Sequence, residues 1–151
     1  MKLAEEIGKL LVKKNMTIAV AESCTGGLVS NLITDVAGAS NYFDRGIVSY
    51  SNCSKVELLK VREETLRLHG AVSKEIAIEM AIGIKKTSGV SIGIGITGIA
   101  GPSGGTKEKP VGTVHVALAT PSVIEDYEFC FSLDRIEFKQ LVAETVFDLI
   151  K

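Results

Sequence analysis

Apolar positions Leu3, Ile7, Leu10 and Leu11 recur on one helical face with charges between them, which predicts a helix over 2–14. The run Thr17-Ile18-Ala19-Val20-Ala21 reads as a strand over 17–21, and Leu28-Val29-Ser30-Asn31-Leu32-Ile33 as part of an amphipathic helix over 26–36. A strand over 45–50, a helix over 53–60, a helical turn over 63–69 and a strongly helical segment over 74–87 follow. Beyond them the pattern predicts strands over 90–96, 112–119 and 125–131, and a closing helix over 135–150. Ser73 and Asp134 suit helix N-caps, with Glu137 three places after Asp134, and Gly38, Gly70 and Gly89 stand where helices stop. Val90, Ile92, Ile94 and Ile96 alternate with Ser91, Gly93, Gly95 and Thr97. That strand therefore has one branched face and one nearly bare face, which a helix or a ligand can approach closely.

This alternation of helix and strand predicts a three-layer α/β/α domain over 1–151 with a mixed, mostly parallel sheet. The last two strands are joined by only Thr120-Pro121-Ser122-Val123-Ile124, short enough for an antiparallel hairpin. No repeat, charge block or Pro-rich linker divides the 151 residues, which are enough to bury a core without disulfides or structural metal.

Composition narrows the function classes. At 46% hydrophobic and 23% charged residues the chain reads as a soluble globular protein. Its 17 basic and 18 acidic residues leave a net charge of -1, so no general field draws it to nucleic acid or to a membrane surface. A DNA-binding factor is disfavoured for want of a basic stripe. No apolar run approaches the roughly 20 residues of a membrane span, and the charged N-terminal helix lacks the uncharged core of a signal peptide. Three cysteines without a C-x-x-C pair fit free thiols in a reducing compartment, and a cytoplasmic location is expected.

Several templates for chemistry fail: there is no G-x-S-x-G elbow, no S-x-x-K pair, no G-K-[ST] phosphate loop and no H-E-x-x-H or clustered His/Cys set for zinc. The two histidines, His69 and His115, fall before a helix-stopping glycine and within a strand, so a Ser-His-Asp triad is not expected. Two polar clusters remain. Ala21-Glu22-Ser23-Cys24-Thr25-Gly26-Gly27 puts Ser23 at a strand-to-helix turn, where free backbone N–H groups at the helix N-terminus favour developing negative charge. The stretch from Thr97 to Gly112, with Gly98 and Gly101 near its start, is too long for a simple connection; its glycines permit close backbone approach and suit a phosphate.

A serine hydroxyl needs a base, and the segment Tyr50-Ser51-Asn52-Cys53-Ser54-Lys55 offers two candidates at the carboxyl edge of the sheet, where open α/β sheets bind ligands. Lys55 serves only if it is neutral, which requires desolvation; Tyr50 is an alternative proton relay. Each residue also has an ordinary reading: Ser23 as an N-cap, Tyr50 as a half-buried strand residue, Lys55 as a solvated helix lysine, and the glycine-rich stretch as a flexible surface loop carrying Lys107 and Lys109. Cys24 has no neighbouring histidine to activate it and reads as a buried thiol.

The runs AESCTGG, ITDVAGASNYFDRGIVSYSN, HGAVS, MAIG and GITGIAGPSGGTKEKPVGTV resemble the C-terminal domain of the CinA (competence/damage-inducible) family over about residues 3–150. Stand-alone members of that family include a nicotinamide-nucleotide amidase. Longer members carry an additional N-terminal domain resembling molybdopterin-binding and pyrophosphatase modules, which is not expected within these 151 residues. The resemblance implies hydrolysis of the carboxamide of nicotinamide mononucleotide (NMN) to nicotinic acid mononucleotide and ammonia, with no metal or other cofactor. It places the family's catalytic serine, tyrosine and lysine on Ser23, Tyr50 and Lys55, and its substrate-binding threonine and late arginine on Thr97 and Arg135. Arg45 is assigned to binding, and backbone N–H groups near Thr25 and Gly26 to an oxyanion site. Substrate phosphate then falls to the glycine-rich loop, Gly98 and Gly101 included, and an arginine. Relatives make a homodimer the expected assembly. The alternative expectation is a nucleotide-binding or regulatory module that keeps the pocket and does little chemistry.

Overall fold

The computed structural model describes residues 2–151. The chain opens with helix α1 (Lys2–Lys13) and enters the sheet at β1 (Ile18–Glu22). Helix α2 (Leu28–Thr34) and a 3₁₀ turn (Ala39–Asn41) lead to β2 (Phe43–Val48). Three helices follow without an intervening strand: α3 (Asn52–Leu59), α4 (Glu63–His69) and α5 (Lys74–Ser88). The chain then builds β3 (Ile92–Gly98), β4 (Thr113–Ala119) and β5 (Ile124–Cys130), and closes with α6 (Arg135–Ile150).

The five strands form one sheet in the order β2-β1-β3-β4-β5. β1 pairs in parallel with β2 and with β3, whereas β4 is antiparallel to both β3 and β5. Four strands therefore point the same way and β4 alone is reversed, so the sheet is mixed as expected, with its pairings split evenly between the two kinds. β1 sits where the chain runs first to one side, to β2, and later to the other, to β3. That reversal opens a crevice at the carboxyl ends of β1 and β3.

Side-chain alternation makes the three layers. Ile18, Val20, Ile94, Ile96, Val114 and Val116 point to one face and pack with Ala4, Ile7 and Leu11 of α1, Val29 and Ile33 of α2, and Phe138, Val142 and Val146 of α6. On the other face Ala19 and Ala21 meet Leu59 of α3 and Ile76, Met80 and Ile84 of α5. The bare face of β3 is used by a helix: a Cβ on Gly95 would meet the Ala77 carbonyl and, at 2.7 Å, the Ala81 nitrogen of α5. Ala117 and Ala119 of β4 face Ala77 and Ala81 in the same close seam.

Boundaries shift where the pattern is polar. β2 begins at Phe43, two residues before the expected start, because an edge strand paired only with β1 tolerates the exposed Asp44-Arg45-Gly46 sequence. α2 starts at Leu28, two residues late, since Gly26 and Gly27 adopt positive φ (60° and 99°) and form the turn before it.

Candidate active site

Three segments end at the same edge of the sheet. Register pairs Glu22 with Val48 of β2 and with Ile96 of β3. The residues just beyond, Ser23, Ser49 and Thr97, therefore emerge side by side. Backbone bonds continue the ladder past the strands: the Ser23 N–H donates to the Ile96 carbonyl (3.1 Å) and the Ser49 N–H to the Glu22 carbonyl (2.8 Å).

Lys55 reaches this edge from α3. Ser51 caps that helix by accepting the Ser54 N–H at 3.0 Å, which fixes Lys55 in the first turn with its side chain directed inward. The lysine is only 1% exposed, so the reading as a solvated surface lysine does not hold. Its Nζ lies 3.1 Å from the Ser23 Oγ, 2.8 Å from the Ser49 carbonyl and 3.3 Å from the Tyr50 carbonyl. Burial lowers its pKa from the usual lysine value, the charged form being the one that suffers in a poorly solvated site. A neutral amine matches these three neighbours: two N–H groups for two carbonyls, and a lone pair for the serine hydroxyl. Ser23 does not cap α2, whose N-cap is Gly27.

A cleft of about 320 Å³ opens over Ser23 and Lys55, lined also by Tyr50, Ala71, Val72, Thr97, and the loop residues from Gly98 to Gly101. Arg135, the first residue of α6, spans its mouth. One guanidinium nitrogen donates to the Gly101 carbonyl (2.6 Å) and another to the Tyr50 hydroxyl (2.9 Å). Asp134 fixes the start of α6 by accepting the Glu137 N–H at 2.9 Å, the cap expected from the sequence. Tyr50 is 60% exposed and bonded to Arg135. Among the described residues the side-chain bond to the Ser23 hydroxyl comes from Lys55. Thr97 is buried and donates its hydroxyl to the Ala71 carbonyl (2.8 Å), tying β3 to the turn before α5.

The glycine-rich loop is anchored rather than loose. The Gly112 N–H donates to the Ile99 carbonyl (2.8 Å), the Thr106 N–H to the Lys109 carbonyl (2.8 Å), and the Lys109 amine to the His69 carbonyl (2.5 Å). Lys109 is thereby used in holding the loop. No backbone acceptor takes the N–H groups of Ala100, Gly101, Ser103 or Gly104, which line the cleft.

One expected contributor lies elsewhere, and two are engaged within the nucleophile turn. Arg45 is exposed on edge strand β2, ion-paired with its neighbour Asp44, and does not line the cleft. Thr25 is fully buried with its hydroxyl donated to Glu22 (2.5 Å), and the Gly26 N–H is taken by the Ser23 carbonyl (3.1 Å). The N-terminus of α2 is not open to an anion either. Glu22 Oε1 accepts the Val29 N–H at 3.0 Å and Oε2 the Ser30 N–H at 2.9 Å, while Leu28 and Asn31 donate to the Thr25 and Gly27 carbonyls. The backbone N–H groups of Cys24 and Thr25 carry no backbone acceptor in the same turn. Burial pushes the Cys24 thiol up to about 12, so it is the inert buried thiol expected from its surroundings. His69 and His115 do not line the cleft.

Glu22, Ser49, Ala71 and Val72 join the site beyond the residues expected from the sequence. The last two belong to the HGAVS run, and Glu22 was signalled by a helix that begins Gly26-Gly27-Leu28 without a capping side chain of its own.

The model of the CinA C-terminal domain matches residues 1–151. The chain belongs to the CinA C-terminal domain family. CinA-family structures superimpose closely: the competence/damage inducible protein CihA of Agrobacterium tumefaciens has a TM-score of 0.96 at 37% identity, with 99% of this chain and 92% of that one covered. A competence damage-inducible protein A of Klebsiella pneumoniae gives 0.96 at 32% identity over 99% of this chain and 92% of that one. Among family members of similar size, the nicotinamide-nucleotide amidohydrolase PncC of Escherichia coli K12 is 51% identical over 137 residues, covering 89% of this chain and 82% of that protein. Others are longer: a putative competence-damage inducible protein of Caldicellulosiruptor saccharolyticus is 49% identical over 149 residues, 99% of this chain but 36% of the relative. The chain thus spans about a third of the length of such long CinA relatives. Among the described residues no helix is long and apolar enough to cross a membrane.

Proposed function

We propose that this chain hydrolyses the carboxamide of NMN to nicotinic acid mononucleotide and ammonia, with Ser23 as nucleophile and Lys55 as the base. The observation that carries the reading is the buried Lys55 amine, 3.1 Å from the Ser23 hydroxyl in a cleft, on a chain half identical to a nicotinamide-nucleotide amidohydrolase. Neutral Lys55 takes the Ser23 proton as Oγ bonds to the amide carbon, and the carbonyl oxygen becomes an oxyanion. The free N–H groups of Cys24 and Thr25 are the donors proposed for it. The lysine then returns a proton to the amide nitrogen as the C–N bond breaks and ammonia leaves. In the second half the same amine takes a proton from water, whose oxygen attacks the acyl carbon. The C–Oγ bond breaks, Ser23 regains its proton, and nicotinic acid mononucleotide departs.

Arg135 and the loop amides of Ala100, Gly101, Ser103 and Gly104 are the proposed phosphate site, an arginine fork with a ring of N–H donors. Tyr50 holds Arg135 over the cleft and contributes to substrate placement, and Thr97 shapes the wall. Incubating the purified protein with NMN and measuring ammonia and nicotinic acid mononucleotide tests the reading. Wild type should release both in equal amounts, and Ser23→Ala should lower turnover by about 10⁴-fold or more while still binding NMN. A wild type that binds NMN and releases nothing across pH would instead identify a nucleotide-binding module.

A further inference from the structure

Glu22 is an acid buried to 0% exposure, one residue before the nucleophile, and no step of the proposed reaction uses it. Its contacts form a complete set. Oε1 accepts the Thr25 hydroxyl (2.5 Å) and the Val29 N–H (3.0 Å); Oε2 accepts the Ser30 N–H (2.9 Å) and the Ser30 hydroxyl (2.7 Å). Four donors converge on two oxygens, an arrangement suited to an acceptor-only carboxylate. Its main chain joins the two halves of the site as well. The Glu22 carbonyl accepts the Ser49 N–H (2.8 Å), and the Ser49 carbonyl accepts the Lys55 amine (2.8 Å).

We infer that Glu22 is a positioning residue for the nucleophile turn: its carboxylate pins Thr25, and through Thr25 holds the Ser23–Thr25 backbone so that the hydroxyl faces Lys55 and the Cys24 and Thr25 N–H groups stay free to donate to the oxyanion. The turn itself is held by two backbone bonds within it, from the Gly26 N–H to the Ser23 carbonyl and from the Leu28 N–H to the Thr25 carbonyl, both 3.1 Å. It contains Gly26 and Gly27 at φ 60° and 99°, and helix α2 after it has no capping side chain of its own. Glu22 does both jobs at once, closing the N-terminus of α2 through Oε2 and Val29 and fixing the turn through the single Oε1–Thr25 bond. Glutamine cannot replace it. In either orientation its amide NH₂ faces a backbone N–H, that of Val29 or of Ser30, and leaves a buried donor unsatisfied.

The two arms of the carboxylate allow a test that separates positioning from folding. This inference rests on Ser23 being the nucleophile and is independent of which amide it attacks. The reaction of Ser23 with a fluorophosphonate probe, read by mass on the Ser23 peptide and normalised to folded protein, is compared in wild type, Thr25→Val and Ser30→Ala. Thr25→Val removes the arm to the turn, and Ser30→Ala one bond of the arm to the helix. Both should lower Tm. Only Thr25→Val should lower the labelling rate, by up to about 10²-fold, the scale of losing one oxyanion donor, with a matching fall in kcat on NMN and a smaller change in KM. Glu22→Gln, where it folds, should follow Thr25→Val. Wild-type labelling of Thr25→Val, or equal losses in Thr25→Val and Ser30→Ala, would overturn the inference, as would a wild type whose Ser23 is not labelled at all. A wild type that is labelled but releases no ammonia from NMN refutes the substrate reading, while the contrast between the two variants still decides the role of Glu22.

Discussion

The Ser23–Lys55 pair works only because of where the amine is kept. Lys55 has no carboxylate at its Nζ to hold it charged; its contacts are two carbonyls and a hydroxyl, and burial lowers its pKa. Activity should therefore rise with pH through the depressed lysine value and level off below its ordinary 10.5, a limb visible in a pH profile of kcat. Lys55→Met should remove that limb and lower kcat by about 10²-fold or more, with a smaller effect on KM. Lys55→Arg should not restore activity, since a guanidinium stays protonated. An unaltered profile in Lys55→Met would place the base elsewhere, with Tyr50 the next residue to substitute. Cys24 gives a contrasting expectation: buried and pushed up to about 12, it should escape iodoacetamide in the folded protein while exposed Cys53 and Cys130 react. Alkylation of Cys24 at the rate of the other two would show that the turn opens readily.

At the scale of elements, the site depends on how closely α5 lies on β3. Gly95→Ala places a Cβ against the Ala77 carbonyl and the Ala81 nitrogen, both main-chain atoms that cannot swing aside. It should cost about 2 kcal/mol or more in denaturant unfolding, and Gly89→Ala, with nothing within 4 Å but φ 73°, should cost about 1 kcal/mol. Equal stability in Gly95→Ala and wild type would mean that the helix shifts freely on the sheet. This seam was legible in the alternation of Ile92, Ile94 and Ile96 with glycine, as were α1, α5 and α6 in their long amphipathic runs. Periodicity is strongest where one face is buried along its whole length. It fails on β2, whose edge exposes Asp44 and Arg45, and on the 3₁₀ turn Ala39–Asn41, which is too short to show a period. The candidate site was legible in part for a related reason. Ser23 and Lys55 are single residues whose meaning depends on burial, which spacing does not give. Arg45 carries a motif position but its strand turns it away, and Glu22 reads as the end of a strand until the uncapped start of α2 shows what it serves.

At the scale of the molecule, the topology gathers Ser23, the Tyr50–Lys55 segment, the Thr97–Gly104 loop and Arg135 at one sheet edge, so site and fold stand or fall together. The lysine ties them in the pH dependence of stability. Its folded pKa lies below the unfolded one, so between those two values the unfolded chain binds more protons and stability rises with pH. Below pH 9, above which the unfolded chain's Cys24 thiol ionises and opposes the trend, thermal melts of wild type should therefore gain stability as pH rises, and Lys55→Met should lose that part of the rise. With a net charge of -1 the molecule as a whole does not attract an anionic nucleotide. Affinity must come from local donors: Arg135, already within 2.9 Å of the Tyr50 hydroxyl and 2.6 Å of the Gly101 carbonyl, and the unpaired amides of the loop beside it. Those donors suit a phosphate, whose ionised oxygens accept more strongly than the neutral carboxamide or ribose hydroxyls. Ser23→Ala provides a form that binds without turnover, in which ligand raises Tm by mass action, about 2.7 kcal/mol at a hundred times Kd. NMN should shift that melt and nicotinamide riboside at the same concentration should shift it far less. Arg135→Ala in the same background should bring NMN down toward the riboside. Equal shifts from NMN and the riboside would show that the loop and Arg135 do not hold phosphate, and would leave recognition of the substrate to its ring and ribose.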